Sequence, residues 1–212
     1  MKILMVSNRS IYQSKKHLKV LLFLVTMIVC FLPLGGEAQN GIKDLSAHEY
    51  TMFKDIALSK SNYFYILMNQ IANKSTPKDS LDYFFKEADR LFHDSAVMQI
   101  KQRSGKVYGK PIMEYLKRLS RLNYTELKIE VFSAYFVRDL HYVKTSRVGN
   151  STITEYEGII AFEQHFEGKR GGEVIYSDYS TKAMRVHVLV TDSDTGRSFD
   201  VLLGDIQVLA IS

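Results

Sequence analysis

Thr181-Lys-Ala-Met-Arg-Val-His-Val-Leu-Val190, then Thr191-Asp-Ser-Asp-Thr-Gly-Arg-Ser198, then Phe199-Asp-Val-Leu-Leu-Gly-Asp-Ile-Gln-Val-Leu-Ala-Ile211: this stretch decides the fold. Successive residues of a strand point to opposite faces. Met184, Val186, Val188 and Val190 therefore share one face of the first strand. The segment Asp192 to Arg197 is rich in residues that tolerate tight turns. If Thr191 pairs with Ser198, the even positions of the first strand share a face with odd positions of the second. Those are Phe199, Val201, Leu203, Asp205, Gln207, Leu209 and Ile211. The two apolar faces then coincide, and a slip of one residue destroys the match. This register sets Asp205 opposite Met184 and Gln207 opposite Lys182. Both polar residues interrupt the apolar face.

The other end of the chain reads as an export segment. Lys15, Lys16 and Lys19 precede an apolar run from Val20 to Leu34. Gly36-Glu37-Ala38 then supplies small residues around a cleavage point before Gln39. This is a signal-peptide pattern, and residues 1–38 are expected to be removed. The run is short of the ~20 residues that span a bilayer. The alternative is an uncleaved leader that anchors the protein in the membrane. Cys30 lacks the small residues that precede a lipidated cysteine, so it belongs to the apolar run. Five of the 28 basic residues and one of the 23 acidic residues lie in this segment, which leaves 23 against 22. The apparent basicity belongs to the leader, and nothing in the remaining chain asks for nucleic acid. The same removal leaves no cysteine. An exported chain without disulfides must hold itself together by its core.

Residues 39–46 read as a tether and 47–212 as a single domain. From about Ala47 to Asn73, Tyr50, Phe53, Ile56, Ala57, Phe64, Leu67, Met68 and Ile71 recur at helical spacing. Thr76 and Pro77 suit the start of a second helix reaching about Phe92. Pro111 starts a third, to about Leu122, with Ile112, Tyr115, Leu116 and Leu119 inward. Lys110, Lys117, Arg118 and Arg121 make a basic patch, either an anion site or solvated helix charge.

From Thr125 the period becomes two. Leu127, Ile129 and Val131 alternate with charges, and Phe132 to Val137 is apolar on both faces, as if covered on both sides. Asp139-Leu140 is expected to turn, with another strand over His141 to Val148. Thr152 to Glu167 alternates, with Tyr156, Gly158, Ile160, Phe162 and Phe166 on one face. Glu155, Glu157, Glu163, His165 and Glu167 take the other. Gly168 to Gly172 reads as a mobile loop. Ala96 to Lys101 can be a short strand with Val107-Tyr108 as its return, and three helices among short strands, followed by a long antiparallel meander, place the helices on one side of the sheet.

With this helix order, the Val107-Tyr108-Gly109-Lys110-Pro111 entry to the third helix and the closing strand pair, the chain resembles the NTF2-like superfamily. That superfamily includes SnoaL-like and ketosteroid-isomerase-like domains. The resemblance covers roughly Glu49 to Ile211, and His141 to Val148 departs from its simplest version. It implies an α+β cone, helices packed on a strongly curved antiparallel sheet, with a pocket at its mouth and dimerisation through the sheet face. Members include enzymes and binding domains. No family catalytic motif matches here, so no catalytic residue is carried over.

Candidate chemistry centres on Asp205. A carboxylate on an apolar face can have a raised pKa and act as a general acid or base. Asp205, Gln207 and Lys182 are read as the polar end of a pocket, with Tyr135 and Tyr156 nearby. The competing reading is that the face simply emerges into solvent there, or that Asp205 pairs with Lys182. His141, His165 and His187 lack metal-ligand spacing, so neither metal nor cofactor is expected. Asp192 to Gly196 departs from a calcium loop and reads as a turn. Neither G-x-S-x-G nor a phosphate loop is present.

The expectation is an exported cell-envelope domain with a non-enzymatic role. It would bind a small apolar ligand or an envelope protein, with homodimerisation through the sheet face. The alternative is a small lyase or isomerase that uses Asp205 on an apolar ligand. A scaffold subunit of an envelope complex is a third class.

Overall fold

The computed structural model describes residues 45–101 and 105–211. The expected leader and most of the tether lie outside the described residues. Leu45 and Ser46 belong to the folded unit, because Ser46 caps the first helix, α1 (Ala47–Ala72). Glu49 N donates to Ser46 Oγ at 3.2 Å, and Ser46 N donates to Glu49 Oε2 at 2.9 Å. This reciprocal capping box satisfies donors that an open helix end leaves free, worth about 1 kcal/mol.

After α1 come α2 (Lys78–Asp89), β1 (Val97–Lys101), β2 (Val107–Pro111) and α3 (Ile112–Ser120). Four long strands complete the chain: β3 (Glu126–Val148), β4 (Ser151–Arg170), β5 (Glu173–Ser193) and β6 (Gly196–Ile211). The sheet order is β2-β1-β6-β5-β4-β3. All pairs are antiparallel except β1 with β6, which run parallel through Met98 and Ile206. The expected class α+β holds at this coarse level. The expected cone does not: the six-stranded sheet is mixed and is not strongly curled.

The core lies between α1 and one face of the sheet. Phe53, Ala57, Phe64, Leu67, Met68 and Ile71 of α1 are fully buried. They meet Met184, Val186, Val188 and Val190 of β5, which are buried as the alternation requires. Each such side chain contributes about 1.5–3 kcal/mol relative to exposure. Tyr65 packs edge-on against Phe162 at 5.3 Å, and Phe64 against Phe92 at 4.7 Å. At the edge strand β3, Asn69 stands in for a missing neighbour. Its Nδ2 donates to Ile129 O at 2.8 Å, and its Oδ1 accepts from Ile129 N at 2.9 Å.

Three strand expectations change. The chain does not turn at Asp139-Leu140; β3 runs through, and its pairing with β4 shifts register at four places between Phe132 and Lys144. Each bulge adds a residue to one strand and moves the inward phase by one. That drift makes Phe132 to Val137 look apolar on both faces, yet Phe132, Tyr135 and Val137 are exposed. Ser133, at the first shift, adopts φ 54°. Gly168 to Arg170 belongs to β4, and the expected mobile loop shrinks to Gly171-Gly172. Both have positive φ (61° and 85°), as the tight hairpin turn between Arg170 and Glu173 requires.

The third change concerns the decisive hairpin. Its register holds from Ser198↔Thr191 to Leu203↔Val186, then slips: Met184 pairs with Ile206, Ala183 with Gln207 and Lys182 with Val208. The bulge sits at Gly204-Asp205. A Cβ on Gly204 would lie 2.7 Å from His187 Nε2 and 3.1 Å from Arg185 Cβ, so the bulge closes tightly only on glycine. Beyond it the even residues of β6 turn inward, and Ile206 is fully buried.

Candidate functional site

The core face of β5 continues past Met184 as Lys182, Ser180, Asp178 and Tyr176. The same face of β4 continues past Phe162 as Gln164 and Phe166. Pairing sets Lys182 beside Phe162, Ser180 beside Gln164 and Asp178 beside Phe166. The apolar sheet face thus ends in a polar group that is still covered. Helix α3 covers it, with β1 and Val208 of β6, and together they line an open cavity of about 250 Å³. Its apolar lining comes from Ile100, Leu119, Leu122, Phe166 and Val208. Its charged lining is Lys182, Arg118 and Lys101 against the single carboxylate of Asp178.

Lys182 is the most perturbed of these charges. It is only 7% exposed. Its Nζ donates to Gln164 Oε1 at 3.0 Å, and that neutral amide is itself 3% exposed. An ammonium has three donors, and a neutral partner compensates little for lost water. Burial therefore pulls its pKa down to about 8, against the opposing pull of Asp178. Burial pushes the Asp178 carboxyl up, with Lys182 and a hydrogen bond to Tyr176 resisting. Tyr115 is pushed up as well, by burial first and by Asp178 second. At the rim, Arg118 is exposed and held in place through Nη1 on Tyr108 Oη at 2.8 Å.

Of the residues expected in the pocket, only Lys182 is in this cavity. Asp205 is not. Because of the bulge it leaves the core face and accepts a hydrogen bond from Val97 N at 2.9 Å, fixing the start of β1. It borders a separate indentation with His93, Ser95, Arg185 and His187. Gln207 lies opposite Ala183, not Lys182. Tyr135 is exposed on β3. Tyr156 is buried in the core, edge-on to Tyr142 at 6.4 Å. Gln164, Asp178, Tyr115 and Tyr176 were missed. Their signal was available: Asp178, Ser180, Lys182 and Gln164 all extend the apolar alternation with polar residues.

The opposite face of the sheet carries the acidic residues. Its charges are matched across strands: Glu155 with His187 at 3.0 Å and Lys144 at 3.3 Å, and Glu157 with Arg185 at 3.0 Å. His165 is fixed there between Ser177 Oγ at 2.9 Å and Glu130 at 3.4 Å, stacked on Tyr179. Among the described residues no group of three His, Cys, Asp or Glu is placed to hold a metal ion.

No family model matches the chain, and no curated protein matches it. Among solved structures it is similar to a conserved protein from Planctomyces limnophilus DSM 3776. Identity is 15%, the TM-score is 0.31, and the match covers 73% of this chain and 97% of that one. A likeness of that degree carries no argument about fold or function, and none of these comparisons bears on the NTF2-like resemblance.

Proposed function

We propose that this is an exported domain that binds a small ligand with an apolar body and an acidic, oxygen-bearing head. The observation that carries the proposal is Lys182, a buried cation inside a cavity whose hydrogen-bond partner is a neutral amide. An anionic oxygen arriving there would supply the compensation that Gln164 does not. Arg118 and Lys101 give the approach the same sign. The leucine, isoleucine and phenylalanine lining suits an apolar body. Export is supported by the basic and apolar pattern of residues 15–38. Among the described residues no helix is long and apolar enough to cross a membrane. Asp205 Oδ1 accepts from the backbone of Val97 outside this cavity, so the lyase or isomerase reading draws no support from the cavity described here.

The test is a titration with 2-naphthoate, followed by its fluorescence at pH 7, on the wild type and on Lys182→Met. Losing a charge-assisted hydrogen bond of about 1.5–3 kcal/mol predicts about ten- to hundred-fold weaker binding. Equal affinity in the two proteins would overturn the proposal. Native mass spectrometry of protein recovered from producing cells would show any ligand that it retains.

A further inference from the structure

From the placement of Lys182, Asp178 and Arg118 around one cavity, we infer that Lys182 is a nucleophile that captures a carbonyl-bearing acid as an imine. This rests on the reading of the cavity as a ligand site and specifies the ligand class: once the imine forms, Lys182 holds the former carbonyl carbon and the acid group lies against Arg118. The geometric argument begins with the amine. A surface lysine is hydrated and charged, and it is a poor nucleophile at neutral pH. Lys182 is almost wholly buried in the cavity lining, and among the described residues no carboxylate forms a salt bridge with it, although Asp178 in the same cavity favours the proton. Among the described residues its hydrogen-bond partner is Gln164 Oε1, which can accept from a neutral amine as well as from an ammonium. A neutral fraction is therefore present near physiological pH, in keeping with a pKa of about 8.

The surroundings supply the rest of the chemistry. The Nζ lone pair of Lys182 attacks the carbonyl carbon, and the carbonyl π electrons pass to oxygen. The proton lost from nitrogen and the proton gained by that oxygen give a carbinolamine. A second proton on the hydroxyl lets water leave as the C=N bond forms. No oxidant or reductant is required. Asp178 lines the same cavity, and burial raises its carboxyl, so it holds and returns a proton more readily than a surface aspartate. Tyr115, Arg118, Lys101 and Tyr176 are the other titratable groups lining the cavity, and the raised Tyr115 hydroxyl stays protonated throughout. Arg118, oriented by Tyr108 at the exposed rim, faces the acid group of a ligand whose carbonyl lies at the floor. A ligand with an aldehyde or ketone at one end and a carboxylate at the other matches both ends.

The experiment uses 4-carboxybenzaldehyde as probe, with sodium cyanoborohydride to reduce any imine, followed by peptide mapping. The full-length mature protein is treated at sub-stoichiometric probe between pH 6 and 9. The expected result is one dominant adduct, on Lys182, with a mass increase equal to the probe less one oxygen atom. Its yield should rise as the pH passes through about 8, and 2-naphthoate should protect against it. Lys182→Met should lose that adduct while keeping its circular dichroism. If that variant does not fold, mapping of the wild type still decides the matter. Adducts spread over surface lysines with Lys182 unmodified would overturn the inference. In that case, retained 2-naphthoate binding would leave the cavity reading standing, and lost binding would remove both.

Discussion

Replacing Lys182 by methionine should change how stability depends on pH. The ordinary lysine value is 10.5, and burial lowers it here to about 8. Between these values the unfolded chain binds more protons than the folded one, so stability rises with pH through that window. The gap of about 2.5 units corresponds to about 3 kcal/mol, present as a cost at pH 7 and gone above pH 10.5. Methionine has similar length and no charge, so it removes this cost. It also leaves Gln164 Oε1 without its donor, at about 1–2 kcal/mol. The variant should therefore be about 1–2 kcal/mol more stable than the wild type at pH 7, and less stable by a similar amount near pH 11. Urea unfolding of both proteins at half-unit pH steps measures the difference. Taking that difference cancels Tyr65 and Tyr115, whose raised hydroxyls act on both proteins. Two parallel stability curves would refute the argument that Lys182 is held partly neutral by burial.

Asn69→Ala should lower stability by about 2–4 kcal/mol, read by denaturant unfolding, because both backbone groups of buried Ile129 lose their partners. Asp205→Asn keeps an acceptor for Val97 N and should cost under about 1 kcal/mol, whereas Asp205→Ala should cost about 1–2 kcal/mol; neither should change 2-naphthoate affinity. The Tyr65 hydroxyl is buried with no hydrogen-bond partner among the described residues, so Tyr65→Phe should raise stability by about 1 kcal/mol, seen as a higher denaturation midpoint. Ser46→Ala should remove the capping box of α1 and cost about 1 kcal/mol in the same assay.

Much of the architecture is legible from periodicity. The buried stripe of α1, the inward faces of β4 and β5 and the hairpin register up to Leu203 follow from alternation and turn chemistry alone. What alternation cannot show is where one strand carries an extra residue. A single bulge at Gly204 moved Asp205 and Gln207 off the core face and carried Ile206 onto it. Gly204 was the visible warning, since a glycine inside a strand often marks a bulge. The four shifts in β3 had no comparable marker, and Ser133 takes its left-handed conformation without being glycine. The parallel pairing of β1 with β6 was equally silent, because it joins segments far apart in the chain. In the sequence Lys182 is expected at the polar end of a pocket with Asp205 and Gln207, and of these three Lys182 alone lines the cavity under α3. Its partner Gln164 follows from the same alternation, because it continues the face of Phe162 and Phe166.

The central claim is that Lys182 and its neighbours hold a ligand. The most direct measurement is a set of ¹⁵N–¹H correlation spectra during a titration with 2-naphthoate at pH 7. The account predicts saturable shifts at Gln164, Asp178, Ser180, Lys182 and Leu119, all of which line the cavity. Lys182→Met should largely abolish them. Shifts confined to the opposite face of the sheet, or shifts that do not saturate, would contradict it.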